Sequence, residues 1–145
     1  MRITWVDYFM QIANLISFRS TCIRRKIGAV AVRDDFIIST GYNGAPKGEP
    51  HCLDIGCIRE QLKIKSGERH ELCRAVHAEQ NLICQAAYNG VKMKDTTVYC
   101  THKPCGICAK LLINSGVIKV VYQHDYPDEY ADSLLKNKLS QYKGE

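Results

Sequence analysis

The sequence predicts an α/β domain with helices on both faces of a mixed β-sheet. After an opening pair of β-rich runs, strand-like and helix-like segments alternate along the chain, an order typical of this fold class. The apolar run at 117–123 indicates a strand buried on both faces. A chain of 145 residues with 46% hydrophobic residues predicts one domain, 1–145, around a single core.

The first predicted elements are a helix over 4–18 and a β-hairpin. Thr4 is a suitable N-cap, with Asp7 three residues further on in a variant of the capping box. Apolar side chains then recur at helical spacing on one face of this helix. Two β-rich runs, 27–33 and 36–42, flank Asp34 and Asp35 and predict the hairpin.

Residues 43–72 form a long irregular stretch, in which we predict one short helix near 58–64. A stretch of this length inside a compact domain is usually functional, or is held to the core by something other than regular structure. It contains Cys52, Cys57 and His70.

The second half of the chain alternates helices and strands. Asn89-Gly90 is a helix stop signal, and Gly116 follows a second apolar segment. We predict, in order, a helix at 76–88, a strand at 96–101, a helix at 105–115, a strand at 117–123 and a helix at 129–141.

Composition narrows the class of protein. No apolar run reaches the roughly 18 residues that a membrane span needs, and polar residues interrupt the N-terminal apolar stretch, so we predict neither a membrane segment nor a signal peptide. The predicted location is therefore cytoplasmic, where eight cysteines favour metal binding or catalysis over disulfides. The net charge of +5 favours a phosphorylated ligand.

Two motifs carry the predicted chemistry. His77 and Glu79 open one predicted helix, and Pro104-Cys105 with Cys108 opens another. If both helices pack on one sheet, a histidine nitrogen and two thiolates meet. Three protein ligands leave the fourth tetrahedral position of zinc open for water, which is typical of a catalytic site. Glu79 lies two residues from the predicted ligand His77, where it can exchange a proton with that water.

The pattern His-x-Glu followed by Pro-Cys-x-x-Cys is the signature of zinc nucleobase deaminases, and the chain resembles the cytidine deaminase superfamily. Within it, the chain is most similar to deoxycytidylate (dCMP) deaminases. The stretches that carry this resemblance are "RSTCIRRKIGA" at 19–29, "STGYNGAP" at 39–46, "CRAVHAEQN" at 73–81 and "VYCTHKPCGICAKLLINSGVIKVVY" at 98–122.

The resemblance implies a three-layer α/β/α fold with a central mixed sheet of about five strands. It also implies hydrolysis of dCMP to dUMP and ammonia, which supplies dUMP for thymidylate synthesis. The implied zinc ligands are His77, Cys105 and Cys108, and the implied proton carrier is Glu79.

The same resemblance implies the substrate contacts. Asn43 matches the asparagine that contacts the sugar, and the backbone around Ala78 and Cys105 is implied to hold the base edge. Asn43-Gly44 is also an ordinary turn signal. For the 5′-phosphate the candidates are Arg24, Lys47 and Tyr126, with solvent-exposed side chains as the alternative.

Some dCMP deaminases carry a second, structural zinc that holds the corresponding long loop. Here the implied ligands are the thiols of Cys22, Cys52, Cys57 and Cys73, with His70 as a substitute for one of them. Four such ligands close a tetrahedral site, as structural zinc prefers. The alternative is that these residues are ordinary reduced thiols.

Two other functions stay open at this point. A tRNA adenosine-type polynucleotide deaminase shares the zinc motif, but the sequence has no basic cluster with interleaved aromatic residues, so we expect no stable nucleic-acid partner. A non-enzymatic zinc module for protein interaction has no use for Glu79. The resemblance further implies a homo-oligomer, hexamer or dimer, and dCTP and dTTP as effectors.

Overall fold

A computed structural model describes residues 1–144. Five strands form one sheet in the order β2-β1-β3-β4-β5. The strands are β1 (Gly28–Arg33), β2 (Phe36–Tyr42), β3 (Thr97–His102), β4 (Lys119–His124) and β5 (Leu139–Gln141). The helices are α1 (Trp5–Ser17), α2 (Cys52–Ile55), α3 (Ile58–Gln61), α4 (Ala78–Asn89), α5 (Gly106–Asn114) and α6 (Glu129–Leu134). Over residues 1–144, every helix is too short or too polar to cross a membrane.

The sheet is mixed, as predicted. β1 pairs antiparallel with both β2 and β3, whereas β3–β4 and β4–β5 are parallel pairs. Asp34 and Asp35 form the hairpin turn with φ angles of 53° and 64°. Positive φ at both central residues is the conformation that matches the twist of paired strands, and Asp tolerates it better than most residues. The predicted hairpin is confirmed.

Helices cover both faces of the sheet, which confirms the predicted three-layer order. On one face, α1 packs Phe9, Met10 and Ala13 against side chains from β1, β3 and β4. On the other face, α4, α5 and α6 share a second core that includes Leu82, Leu112 and Leu135. Thr4 caps α1 by accepting a hydrogen bond from the Asp7 backbone, as the capping pattern predicted.

The helices lie unusually close to the sheet at two glycines. A Cβ atom added at Gly41 on β2 would lie 2.2 Å from the Ala78 carbonyl oxygen at the start of α4. A Cβ added at Gly28 on β1 would lie 2.2 Å from the Ala13 carbonyl oxygen of α1. Only glycine permits these approaches, so Gly41 determines how deeply the first turn of α4 sits on the sheet.

The prediction of a single last helix over 129–141 is wrong. The helix α6 ends at Leu134, and Leu139–Gln141 form the strand β5 instead. This strand pairs with β4, whose outer edge would otherwise expose unpaired backbone groups. The gain from that pairing outweighs the helical preference of a segment interrupted by Asn137.

The long stretch after β2 is almost without a core of its own. The short helices α2 and α3 and a 3₁₀ turn at His70–Leu72 are its regular structure. In 46–72 the buried residues are Cys52, Cys57 and Arg59, while apolar side chains such as Leu53 and Leu62 are exposed. We call residues 46–72 the insert. The insert thus buries two thiols and one guanidinium and no large apolar side chain.

Candidate active site

Two helices begin side by side on the same face of the sheet. His77 is the N-cap residue of α4, and Cys105 is the N-cap residue of α5. The Nδ1 atom of His77 lies 3.3 Å from Cys108 Sγ and 3.6 Å from Cys105 Sγ. Residues that are 28 positions apart in sequence therefore share one small volume.

The start of α4 is held by polar contacts to both sides. The Gln80 side chain accepts a hydrogen bond from the His77 backbone N–H at 2.8 Å, which satisfies a donor that the helix leaves free. The Asn81 side chain donates to the Tyr42 carbonyl at the end of β2, also at 2.8 Å. His77 is consequently positioned by its own helix and by the neighbouring strand.

The start of α5 is tied to the loop that follows β4. Asp128 accepts from the Gly106 backbone N–H at 2.8 Å and also caps α6 through the Ala131 N–H. The buried ammonium of Lys103 pairs with Asp125 at 2.9 Å and with Asp132 at 2.7 Å. These contacts fix the segment that carries Cys105 against the start of α6.

The geometry of His77, Cys105 and Cys108 fits a zinc ion. With Zn–S near 2.3 Å and Zn–N near 2.1 Å, tetrahedral ligands lie about 3.6 Å apart. The observed Nδ1–Sγ distances are 3.6 and 3.3 Å, and all three donor atoms lie within 4.8 Å of one another. Across residues 1–144, no other three His, Cys, Asp or Glu side chains have donor atoms within 4.8 Å of one another.

The chemistry of the donors also suits a metal. Hydrogen bonds from the Cys108 thiol, and then from His77, lower the pKa of Cys105 to about 4. Cys105 is therefore a thiolate at neutral pH, the form that binds zinc. Its hydrogen bond to His77 raises the pKa of that histidine in turn.

Glu79 lies in the same site, on the first turn of α4, with 4% of its surface exposed. Burial raises the pKa of its carboxyl group to about 7, although the positive charge of His77 acts in the opposite direction. A carboxyl group that titrates near neutral pH can both accept and donate a proton under working conditions, as general acid–base catalysis requires.

A cavity opens beside this centre and collects several predicted substrate residues. Its lining includes Asn43, Arg24 and Tyr126 together with His77 and Glu79. Asn43 is buried, where its side chain accepts from the Ile27 N–H and donates to the Arg25 carbonyl, both at 2.9 Å. It thus anchors the segment before β1 as well as facing the cavity.

One predicted contact lies elsewhere. Lys47 is exposed and outside the cavity lining, with its ammonium 5.7 Å from the Tyr88 ring centroid. The structure therefore does not bring Lys47 to the site. Ala78 is fully buried at the first position of α4, against Gly41.

The four cysteines of the predicted second zinc site also line the cavity. A hydrogen bond from the Leu53 N–H to the Thr21 carbonyl joins the sequence neighbours of Cys52 and Cys22, and one from the Arg74 side chain to the Gly56 carbonyl joins those of Cys73 and Cys57. Within residues 1–144, however, these thiols do not form a set of three donors within 4.8 Å of one another, as the catalytic ligands do. Burial, followed by the thiols of Cys22, Cys57 and Cys73, raises the pKa of Cys52. All eight cysteines of the chain are free thiols.

His70, the predicted substitute ligand of the second site, lies instead beside His77 of the predicted catalytic zinc site. Its ring lies edge-on to His77 with 5.1 Å between ring centroids, and Cys105 is among its charged neighbours. Sequence reasoning missed Arg59, Arg25 and His102, which also line the cavity. The adjacent "RR" at 24–25 was a signal for Arg25, whereas nothing local distinguishes Arg59 from exposed arginines.

Fold and site together define a zinc-dependent deaminase of nucleobases. A sequence model of the family described as "Cytidine and deoxycytidylate deaminase zinc-binding region" matches residues 3–124. The chain belongs to this family.

Similar proteins agree with this assignment. The chain is 39% identical to ComE operon protein 2 of Bacillus subtilis, over 93% of the chain and 68% of that protein. It is 37% identical to the deoxycytidylate deaminase of Saccharomyces cerevisiae, over 94% of the chain but only 43% of the yeast protein. Among solved structures, the dCMP deaminase of cyanophage S-TIM5 in complex with dCMP and dUMP matches with a TM-score of 0.78 at 27% identity, over 98% of the chain and 99% of the phage chain.

His102 and His124 end the adjacent strands β3 and β4, with 5.0 Å between their ring centroids. Burial, and then the neighbouring His124 and Arg25, lowers the pKa of His102 to about 4. His102 is therefore neutral at physiological pH, and the folded protein resists its protonation.

This depressed pKa predicts a pH-dependent loss of stability. Between pH 6.5 and 4 the unfolded chain binds a proton at His102 that the folded chain does not, so stability falls as the pH falls through this window. From pH 7 to 5 the loss should be about 1–2 kcal/mol, discounted for partial exposure. Urea unfolding of His102→Asn should lack this component, whereas His51→Asn, which alters an exposed histidine, should retain it. Parallel pH profiles for wild type and His102→Asn would contradict the prediction.

Proposed function

We propose that the chain catalyses the hydrolytic deamination of dCMP to dUMP and ammonia. The observation that carries the proposal is the buried Glu79 carboxyl group beside the donor set of His77, Cys105 and Cys108. Support for the substrate comes from the relatives named deoxycytidylate deaminase and from the phage enzyme that binds dCMP and dUMP. We further propose that residues 1–145 act as a single domain.

In this proposal His77, Cys105 and Cys108 hold the catalytic zinc. When bound, zinc lowers the pKa of a water molecule from 15.7 to roughly 7. The Glu79 carboxylate accepts one proton of the attacking water as its oxygen bonds to C4 of cytosine. Glu79 delivers that proton to N3, then transfers the hydroxyl proton to the exocyclic nitrogen. The C4–N4 bond breaks, ammonia leaves and the ring carries a carbonyl oxygen.

The rest of the cavity orients the nucleotide. The backbone at Ala78 and Cys105 holds the base edge, and the Asn43 amide, which has hydrogen-bonding capacity beyond its two backbone contacts, meets the sugar. Arg24 and Tyr126 face the 5′-phosphate from the cavity wall. The Arg24 Nη1 atom is buried without a partner among the described residues, so a phosphate oxygen would satisfy it.

We also propose a second, structural zinc held by Cys22, Cys52, Cys57 and Cys73. Its support is that all four thiols line one cavity and that Cys22, Cys57 and Cys73 lie close enough to Cys52 to raise its pKa. The insert lacks an apolar core, and a metal would supply the stabilisation that burial does not. His70 is left out of this set because it faces the catalytic centre.

Three further features stay predictions from the sequence. They are a cytoplasmic location, a homo-oligomeric assembly and regulation by dCTP and dTTP.

Glu79→Gln should abolish turnover of dCMP while the catalytic zinc stays bound. The amide keeps the shape of the side chain but cannot carry a proton, and one group that serves several proton transfers should be worth about 10⁴-fold in kcat. Ammonia release and zinc content should be measured together, with Glu68→Gln, at an exposed position of the insert, as the matched control. Near-normal activity of Glu79→Gln, or loss of its zinc, would contradict the role of Glu79 as the proton carrier.

The second zinc should be visible by elemental analysis as close to two zinc ions per chain. Cys22→Ser should retain one, and a stability loss of about 3 kcal/mol should lower its melting temperature by roughly 6–12 °C in a domain of this size. Cys84→Ser, which alters an exposed cysteine on α4, should behave as wild type. A stoichiometry near one in fully metal-loaded wild-type protein would rule the second site out.

A further inference from the structure

Three buried side-chain nitrogens lack a hydrogen-bond partner within residues 1–144: Arg24 Nη1, Arg59 Nε and His70 Nδ1. All three residues line the cavity beside the catalytic centre. Because buried polar groups are normally satisfied, unpaired nitrogens around one cavity indicate a ligand with acceptor atoms.

Arg59 is the most unusual of the three. Its side chain is buried, with 7% of the residue surface exposed, and it makes no ion pair or hydrogen bond with any side chain or carbonyl in the described part of the chain. Its charge lies close enough to act on His70, His77 and Tyr126. A buried guanidinium normally requires an anionic partner, because burial removes its hydration.

The other cations of the cavity each have a partner, although the Nη1 atom of Arg24 is unpaired among residues 1–144. Lys103 pairs with Asp125 and Asp132, and Arg74 donates to the Gly56 carbonyl. Arg25 donates to Ser66 and lies over the Tyr126 ring. Arg24 lies 3.8 Å from Glu60 through its Nε atom.

Carboxylates do not compensate this positive charge. Among residues 1–144, Glu79 is the one carboxylate in the cavity lining, and the proposed chemistry uses it to carry protons. The unpaired charge of Arg59 is therefore available to a ligand that brings its own negative charge. The phosphate of a nucleotide is such a ligand, and guanidinium binds phosphate through two parallel hydrogen bonds.

We propose that Arg59 is a specificity-determining residue that binds the 5′-phosphate and so separates nucleotide from nucleoside substrates. This inference rests on the proposed function and deepens it. The insert then has a role in substrate binding, because it carries Arg59 on α3 and this buried side chain lines the cavity. Phosphate binding by Arg59 holds the insert over the reacting base.

A purely structural role for Arg59 makes a different prediction. If the guanidinium only supported the insert, its loss would impair dCMP and deoxycytidine to the same extent. If Arg59 binds the phosphate, its loss impairs only the phosphorylated substrate. The ratio of the two kcat/KM values therefore separates these roles.

The test compares zinc-loaded wild type with Arg59→Gln, Arg59→Lys and Arg69→Gln. Arg59→Gln should lower kcat/KM for dCMP about 10- to 100-fold, as loss of a charge-assisted contact does, and change kcat/KM for deoxycytidine less than about twofold. Arg59→Lys keeps the positive charge but lacks the planar guanidinium, so its kcat/KM for dCMP should lie between those of wild type and Arg59→Gln. Arg69→Gln should match wild type, because Arg69 belongs to the same insert but is exposed and paired with Glu71. Equal losses for both substrates in both Arg59 variants would overturn the proposal.

A binding measurement keeps this test independent of turnover. Calorimetry should give weaker binding of dUMP to Arg59→Gln, by a similar factor, with deoxyuridine binding unchanged. If wild type releases no ammonia from dCMP, the proposed function fails, while selective loss of dUMP binding still supports the role of Arg59. Equal dUMP affinities of wild type and Arg59→Gln would overturn that role whatever the enzyme turns over.

Discussion

The meeting of two helix starts is the constraint on which the rest of the site depends. His77 and Cys108 approach to 3.3 Å because α4 and α5 begin at the same end of the sheet and on the same face. Gly41 lets the first turn of α4 lie directly on β2, and Asp128 ties the first turn of α5 to α6. A displacement of either helix by about 1 Å would separate ligands that must lie about 3.6 Å apart around zinc.

The insert shows a second consequence of this arrangement. A segment that buries two thiols and an arginine, but few apolar side chains, gains little from the hydrophobic effect. If the proposals above hold, its order depends on what binds to it, a metal at the four cysteines and a phosphate at Arg59. Binding that stabilises only the folded form adds to stability as ligand concentration rises.

Local patterns predicted much of this structure. The Thr4 cap, the Asp34-Asp35 turn and the spacing of His77, Glu79, Cys105 and Cys108 depend on neighbours in sequence. What the sequence did not reveal depends on tertiary contacts. The strand β5 forms because β4 offers an open edge, Lys47 lies beside Tyr88 instead of in the cavity, and the burial of Arg59 follows from how the insert folds back. None of these has a signature in the adjacent residues.

The central claim is that one cavity joins zinc-dependent deamination to recognition of a 5′-phosphate. Its most direct test is ammonia release by the zinc-loaded wild-type protein from dCMP, dCTP, deoxycytidine, CMP and tRNA. We expect the highest kcat/KM for dCMP, with that for deoxycytidine lower by about 10-fold or more, since the charge-assisted contact to the phosphate is missing. Deoxycytidine turned over as efficiently as dCMP, or ammonia released from tRNA alone, would contradict it.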